Sequence, residues 1–441
     1  MRELYNWAWM QTQVTRTTDV WSSLAGRAIP AGRRYTPGEQ QERERAYDEG
    51  LKAAESEARK KPRSKAERIA MRQRMVEAFA RFSAVALDLD EDAIGLLTHE
   101  FLPVGTGLAG WARRFDANLS RADITQACRN AWTACGLQPL LGERIALTPS
   151  ILAYSLLYPY SDNTLDRACL STEAKLRFSE RFRRRLRGES DAPEDRLEDA
   201  LWRLVRMIEA QYPRELYPRV FECLLAIHRA QEGSLSQLKS GQHREDKDVL
   251  RVSLAKGGSS VLADACLARG WLSEEEAGFA FEWGVLLQLG DDIQDLREDM
   301  QRGSRTVFSQ AVAAGRPLDD RVAQLLNFSE QTGDRMDRLP NGDDRLKGLL
   351  RMSWRSLILM AVAESHEFFS PEFLAEAEHG SPFRFAFLRA RRQRLTAREG
   401  LYAMLFDAFL ETQDADDGAA SLLQDRLDAP ASPFFSDSAA G

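Results

Sequence analysis

Long apolar runs are missing from this chain. No stretch of its 441 residues approaches the roughly 20 apolar residues that a membrane-crossing helix needs. The start, Met1-Arg-Glu-Leu-Tyr5, also lacks the apolar core of a secretory signal. A cytoplasmic protein with no transmembrane segment is therefore expected. Cysteine is scarce. The five present, Cys128, Cys135, Cys169, Cys223 and Cys266, stand at spacings that match neither a disulfide framework nor a zinc site, so reduced thiols are expected and zinc is not. Positive charge is in deficit, with a formal net charge of −7, which removes any general attraction to nucleic acid or anionic lipid. The run Arg181-Phe-Arg-Arg-Arg-Leu-Arg187 is a local exception. Alternation of strand with helix is absent too, as is any internal repeat. What remains is helical periodicity along most of the chain, and the fold expected is all-α.

Two places combine an apolar helix with an abrupt acidic end. In the first, Phe281, Val285, Leu286 and Leu289 recur at helical spacing before the chain turns acidic at Asp291. Asp291 or Asp292 with Asp295, and Asp295 with Asp299, lie three or four residues apart and share a helix face, so their carboxylates repel unless something positive sits between them. A hard divalent cation meets that need: magnesium takes one or two protein carboxylates and completes its shell with water and phosphate oxygens. For one such cluster a solvated acidic helix end is the plainer reading. The cluster is not single, however. Ile151-Leu-Ala-Tyr-Ser-Leu-Leu157 leads into Tyr158-Pro-Tyr-Ser-Asp-Asn-Thr-Leu-Asp-Arg167, where Asp162 and Asp166 are four apart and face one way. Two helices of this design can set both clusters at the mouth of one apolar cavity, as a metal-diphosphate site requires.

The pair Asp162-Asn163-x-x-Asp166 and Leu287-Gln288-x-x-Asp291-Asp292-x-x-Asp295 resembles the two aspartate-rich motifs of class I isoprenoid synthases, the superfamily of trans-prenyltransferases, squalene/phytoene synthases and terpene cyclases. Asp299-x-x-x-Gly303-x-x-Thr306 resembles the residues just downstream of the second prenyltransferase motif, and Asp162-Asn163-Thr-Leu-Asp166-Arg167 is most similar to large-terpene synthases of the tetraprenyl-curcumene type. The likeness is local, covering roughly residues 149 to 310. It implies a single large helical bundle around an apolar cavity. It further implies that Asp162, Asp166, Asp291, Asp292, Asp295 and Asp299 hold more than one Mg2+, with Mn2+ as a substitute. The substrate implied is a prenyl diphosphate, contacted by Tyr158, Asn163, Arg167, His228, Lys256, Gln288 and Arg305. Lys256 resembles the lysine that prenyltransferases place in a broken helix facing the diphosphate, although glycine stands where a threonine usually follows. Arg251 is a weaker candidate for the same role, and Arg305 a candidate for a closing loop.

What happens after the allylic carbon–oxygen bond ionises decides the activity. An aspartate-rich second motif leans toward transferases, because cyclases commonly carry Asn, Ser and Glu there. The Asp-Asn-x-x-Asp-Arg run lacks the doubled aspartate of chain-elongating enzymes and leans toward a terpene synthase, the reading preferred here. Asn163 puts the metal stoichiometry in question, since an amide is a weaker ligand than a carboxylate. Condensation of two isoprenoid diphosphates is the alternative, and a non-catalytic helical binding protein the second alternative. A homodimer is left open. Tyr154, Tyr158, Phe281 and Trp283 are candidate cavity walls, with core packing as the plainer reading of each. His228 is a candidate base, and more plainly a hydrogen-bonded core histidine.

The rest of the chain divides into an N-terminal segment 1–62, a helical domain 63–411 and an acidic tail 412–441 expected to be disordered. The first carries Trp7, Trp9 and Trp21 and then a charged helix, Glu39 to Lys61. Helices are expected over 64–89, with Met71, Met75, Phe79 and Phe82 as core, and then over 197–212, 216–238, 246–268, 274–298, 318–339 and 343–369. In the last of these, Leu357-Ile-Leu-Met-Ala-Val362 is expected to be buried. Pro103-Val-Gly-Thr-Gly-Leu-Ala-Gly110 lacks the Lys-Ser/Thr ending of a phosphate loop and reads as a turn. Thr148-Pro149 is a capped helix start, and Pro159 should kink or interrupt that helix one turn before Asp162.

Overall fold

A computed structural model of the chain describes residues 6–60, 64–87, 89–166, 171–189, 191–237 and 246–397. Among these every regular element is helical, and none is long and apolar enough to cross a membrane. The all-α expectation holds. The acidic tail 412–441 lies outside the described residues.

The order begins with α1 (Trp7–Ser23), whose N-cap Asn6 accepts from the Trp9 amide. It continues with α2 (Pro37–Ala58) and α3 (Lys65–Ala86). Thr36 and Glu39 form a reciprocal capping box at the start of α2, with Pro37 in the first turn, where its missing N–H has no partner to lose. Tyr47 meets Phe82 and Glu57 pairs with Arg74, so α2 and α3 run antiparallel. Next come α4 (Glu91–Gly95), a π-helical turn Leu96–Phe101, α5 (Leu102–Phe115) and α6 (Arg121–Leu140). The second half supplies α7 (Pro149–Asp166), α8 (Thr172–Leu186), α9 (Arg196–Gln211), α10 (Pro218–Gln237), α11 (Asp246–Arg269) and α12 (Glu274–Gln294). It closes with α13 (Leu296–Arg302), α14 (Val307–Ala313), α15 (Asp319–Asp337), α16 (Asp344–Glu364), α17 (Pro371–His379) and α18 (Phe385–Ala397).

The core is built around α12. All its residues from Glu276 to Leu286 are buried, so it is enclosed on every side rather than by one stripe, with α1, α11, α15 and α16 packed around it. Its contact with α11 is backbone to backbone. A Cβ on Gly257 would stand 2.5 Å from the Gly284 carbonyl, one on Gly284 would collide with the Gly257 carbonyl, and one on Gly258 would enter the Phe281 ring. Three glycines therefore let two helices lie closer than side chains allow. They do not break α11, which runs unbroken through Lys256-Gly257-Gly258; the broken helix implied for Lys256 is not found.

Other expectations are corrected in the same way. The 103–110 stretch is helical interior: Pro103 occupies the first turn of α5, and Gly105 leaves room for the Trp132 ring, whose N–H donates to the Phe101 carbonyl at 2.9 Å. Pro159 removes one backbone bond but does not end α7, whose flanking turns are packed on α6 and α9. The helix expected over 274–298 stops at Gln294 and resumes as α13. Phe79 in α3 and Leu357 and Met360 in α16 are exposed, not core. The cysteines are less scattered in space than in sequence, because α10 and α11 bring Cys223 and Cys266 to an Sγ–Sγ distance of 3.0 Å. Cys169 lies outside the described residues.

Candidate functional site

The acidic end of α12 is a joint. Asp295 leaves the helical region (φ −89°, ψ 5°) and serves both as C-cap of α12 and as N-cap of α13. Backbone bonds still cross it, Asp295 N–H to Asp291 at 2.9 Å and Asp299 N–H to Asp295 at 2.8 Å, so the three aspartates stay one helical turn apart. Gly303 ends α13 with φ 71°, which a side chain would resist, and the Ser304 N–H closes back on the Asp299 carbonyl at 2.8 Å. Thr306 then caps α14 in a reciprocal pair with Ser309.

Asp292 is the anchored member. It is 6% exposed, accepts 2.8 Å from Gln288 Nε2 and 2.9 Å from Ser253 Oγ, and burial pushes its carboxyl up to about 7 despite both bonds. Asp291 is open to solvent yet hemmed in by protein. That surrounding raises it to about 6, Asp295 adds to the rise, and the charges of Arg129 and Lys256 oppose it. Asp299 is likewise raised to about 6 by burial and then by Asp295, and Asp295 is raised by burial and then by Glu298. No ion pair reaches any of the four among the described residues; Arg297 and Arg302 pair with Glu367 and Glu298 instead. Each carboxylate thus resists ionisation beside the others, and the donor set, all carboxylate oxygen, is the type a hard divalent cation takes. No three His, Cys, Asp or Glu side chains among the described residues are arranged to hold a metal ion unaided.

The helix carrying the other cluster ends on the same side of the bundle. Ser150 Oγ donates to Leu267 and Tyr154 OH to Ser260, so α7 runs antiparallel to α11. Phe281 meets Gly258 and Asp292 meets Ser253, so α12 is antiparallel to α11 as well. Near its end α7 presents Tyr160, which donates to Asp116 at 2.8 Å and feels the charge of Asp123 at the start of α6. Arg129, in the same half of α6, acts on Asp291 and Asp295. The backbone of Asp162, Asn163 and Asp166 lies on the last turns of α7. The side chains of these three and of Tyr158, and all of Arg167, lie outside the described residues.

The remaining candidates are spread over several elements. Gln288 holds Asp292. Lys256 is half-buried one turn from Ser253 and acts electrostatically on Asp291. Arg305 is half-buried in the loop between α13 and α14. Arg251 turns away and donates to Thr15 Oγ1 of α1 at 3.2 Å. His228 is buried in contact with the Ser179 hydroxyl and carbonyl oxygens at 3.1 and 3.0 Å, and burial lowers its pKa. It lines a small hollow of about 20 Å³ between α7, α8 and α10, with Tyr154, Leu157, Ser161, Phe182 and Ile227 among its neighbours. A second small hollow of about 30 Å³ lies beside Asp291 between α12 and α16. Neither is lined by both acidic helix ends. Phe281 and Trp283 are core: the first packs on Gly258, the second against Phe279 and Trp354. The arginine run of α8 is spent on ion pairs, Arg177 with Glu194, Arg181 with Glu198 and Arg185 with Glu209.

Sequence reasoning missed Ser253 and Arg129. Neither sits in a motif, and only the packing of α11 and α6 brings them to α12. Comparison with protein-family models, with curated proteins and with solved structures finds no match for this chain.

Proposed function

We propose that the chain is a cytoplasmic, magnesium-dependent class I terpene synthase that ionises a prenyl diphosphate and releases diphosphate. The observation that carries this reading is the crowding of Asp291, Asp292, Asp295 and Asp299, four carboxylates that burial raises above their ordinary range, with no cationic partner in contact among the described residues. Asp291, Asp295 and Asp299, with Asp162 and Asp166 of α7, would supply the metal oxygens. Bound magnesium would neutralise charge developing on the departing diphosphate. Gln288 and Ser253 fix the Asp292 carboxylate at the foot of the cluster, which keeps α12 in register with α11. Lys256 and Arg129 add positive charge on the side of Asp291, where a diphosphate would approach.

An aspartate-rich second cluster, rather than one of Asn, Ser and Glu, favours a second reading: condensation of two isoprenoid diphosphates. One assay separates the two. The chain is incubated with Mg2+ and geranyl, farnesyl or geranylgeranyl diphosphate, each alone and with isopentenyl diphosphate. Product from a single diphosphate supports the synthase or a head-to-head condensation, which product mass distinguishes. Product only with isopentenyl diphosphate supports elongation. Asp291→Ala and Asp162→Ala should each lower turnover by at least about 100-fold, a typical scale for loss of transition-state charge stabilisation. Full activity in either variant would contradict the metal assignment.

A further inference from the structure

We propose that Cys223 and Cys266 are an oxidisable pair that closes to a disulfide joining α10 to α11. Their sulfurs are 3.0 Å apart. Carbon atoms pack best at about 3.5–4.0 Å, and sulfur is the larger atom, so this separation is closer than unbonded packing favours. About 1 Å of approach, shared between two side chains, reaches the bond length of roughly 2.05 Å. Both side chains are fully buried, Cys223 in the second turn of α10 and Cys266 in the last turn of α11, so they are fixed by the helix pair rather than by a loop. The backbone around Cys266 is further pinned, because Tyr212 OH and Ser150 Oγ both donate to the next carbonyl, that of Leu267. Two sulfurs with no third His, Cys, Asp or Glu ligand among the described residues suit a disulfide and not a metal.

The chemistry balances with a disulfide oxidant such as oxidised glutathione. The two thiols lose two protons and two electrons and form one S–S bond, while the glutathione S–S bond breaks and takes them up as two glutathione thiols. Burial disfavours the Cys223 thiolate, so exchange proceeds when the helix pair opens or while the chain folds. The bond ties positions 43 apart in sequence, at the end of the α10–α11 pair away from its connection.

The test uses the full chain, incubated folded with oxidised glutathione and, separately, unfolded and refolded in a glutathione redox buffer. Each sample is then denatured in excess maleimide, and its intact mass and cross-linked peptides are read. We expect two fewer maleimides than in the reduced chain, one cross-linked peptide containing Cys223 and Cys266, and a thermal midpoint raised by roughly 5 °C that reductant abolishes. Cys223→Ser and Cys266→Ser should lose the cross-link and the shift, while Cys128→Ser keeps both. Full maleimide labelling in both arms, or a cross-link between other cysteines, would overturn the proposal.

Discussion

Asp292 shows how much one side chain can carry. Its pKa is ordinary in the unfolded chain and about 7 in the folded protein, so between these values the folded state holds a proton that the unfolded chain has released. Its contribution to stability is therefore complete below about pH 4 and lost as pH rises through 7. The metal-free protein should lose about 3 kcal/mol from this residue between pH 5 and pH 8, a figure good to its order of magnitude. Asp291 and Asp299, raised to about 6, act in the same direction. Asp292→Asn, which keeps the Gln288 and Ser253 side chains within reach, should flatten the pH dependence by that amount in urea unfolding. Magnesium at pH 8 should stabilise the native chain. An identical pH slope in chain and variant would show that Asp292 is ionised throughout. The acidic residues were legible because a three- or four-residue spacing is a local property of a helix. Ser253 was not, because its bond to Asp292 spans 39 positions and depends on how closely α11 approaches α12.

At the scale of the element, that approach rests on three glycines. A pair such as Gly257-Gly258 permits either a bend or a close contact, and sequence alone leaves both open, since a glycine weakens a helix and admits a neighbour by the same missing Cβ. Gly284 on the facing helix decides for contact, as its Cβ would meet the Gly257 carbonyl. Gly257→Ala and Gly284→Ala should each cost roughly 3 kcal/mol or more, because backbone cannot give way as a side-chain tip can. Gly233→Ala is the control. It lies in α10 with open space at its Cβ position and should stabilise by about 0.5–1 kcal/mol. Chemical denaturation of the three variants checks the ordering, and a neutral Gly284→Ala would refute the close packing of α11 on α12. One helix start was readable, Thr148-Pro149, where the Thr148 hydroxyl accepts from the Ile151 amide; the caps Thr36-Pro37 of α2 and Ser273 with Glu276 of α12 were written in the sequence as plainly and went unread. Helix continuity was not legible. Pro159 lies inside α7, where packing on both sides outweighs one lost bond, while the break at Asp295 has no proline or glycine to mark it.

Across the whole molecule, the first helices are tied to the last. Arg384 and Arg391 of the α18 region pair with Glu44 and Asp48 of α2, and Gln40 donates 3.0 Å to each of the Glu378 and Ser381 carbonyls. Gln324 of α15 reaches back 3.0 Å to the Trp21 carbonyl at the end of α1, and the Trp21 ring meets Phe328 edge-on. Because α1 also packs on α11 and α12, removing its anchor should be felt at the acidic joint and not only locally. Trp21, 2% exposed, should cost about 3–5 kcal/mol when replaced by alanine, since the indole leaves a cavity that α15 cannot collapse to fill. Trp271, half exposed over Arg269, should cost less than about 1 kcal/mol on the same change. The informative readout is the form of urea unfolding. If α1 belongs to one cooperative unit with α12, Trp21→Ala shifts the single main transition seen by far-UV dichroism. A small early transition with the main midpoint unmoved would instead mean that the N-terminal helix unfolds by itself and that the α12 core stands without it.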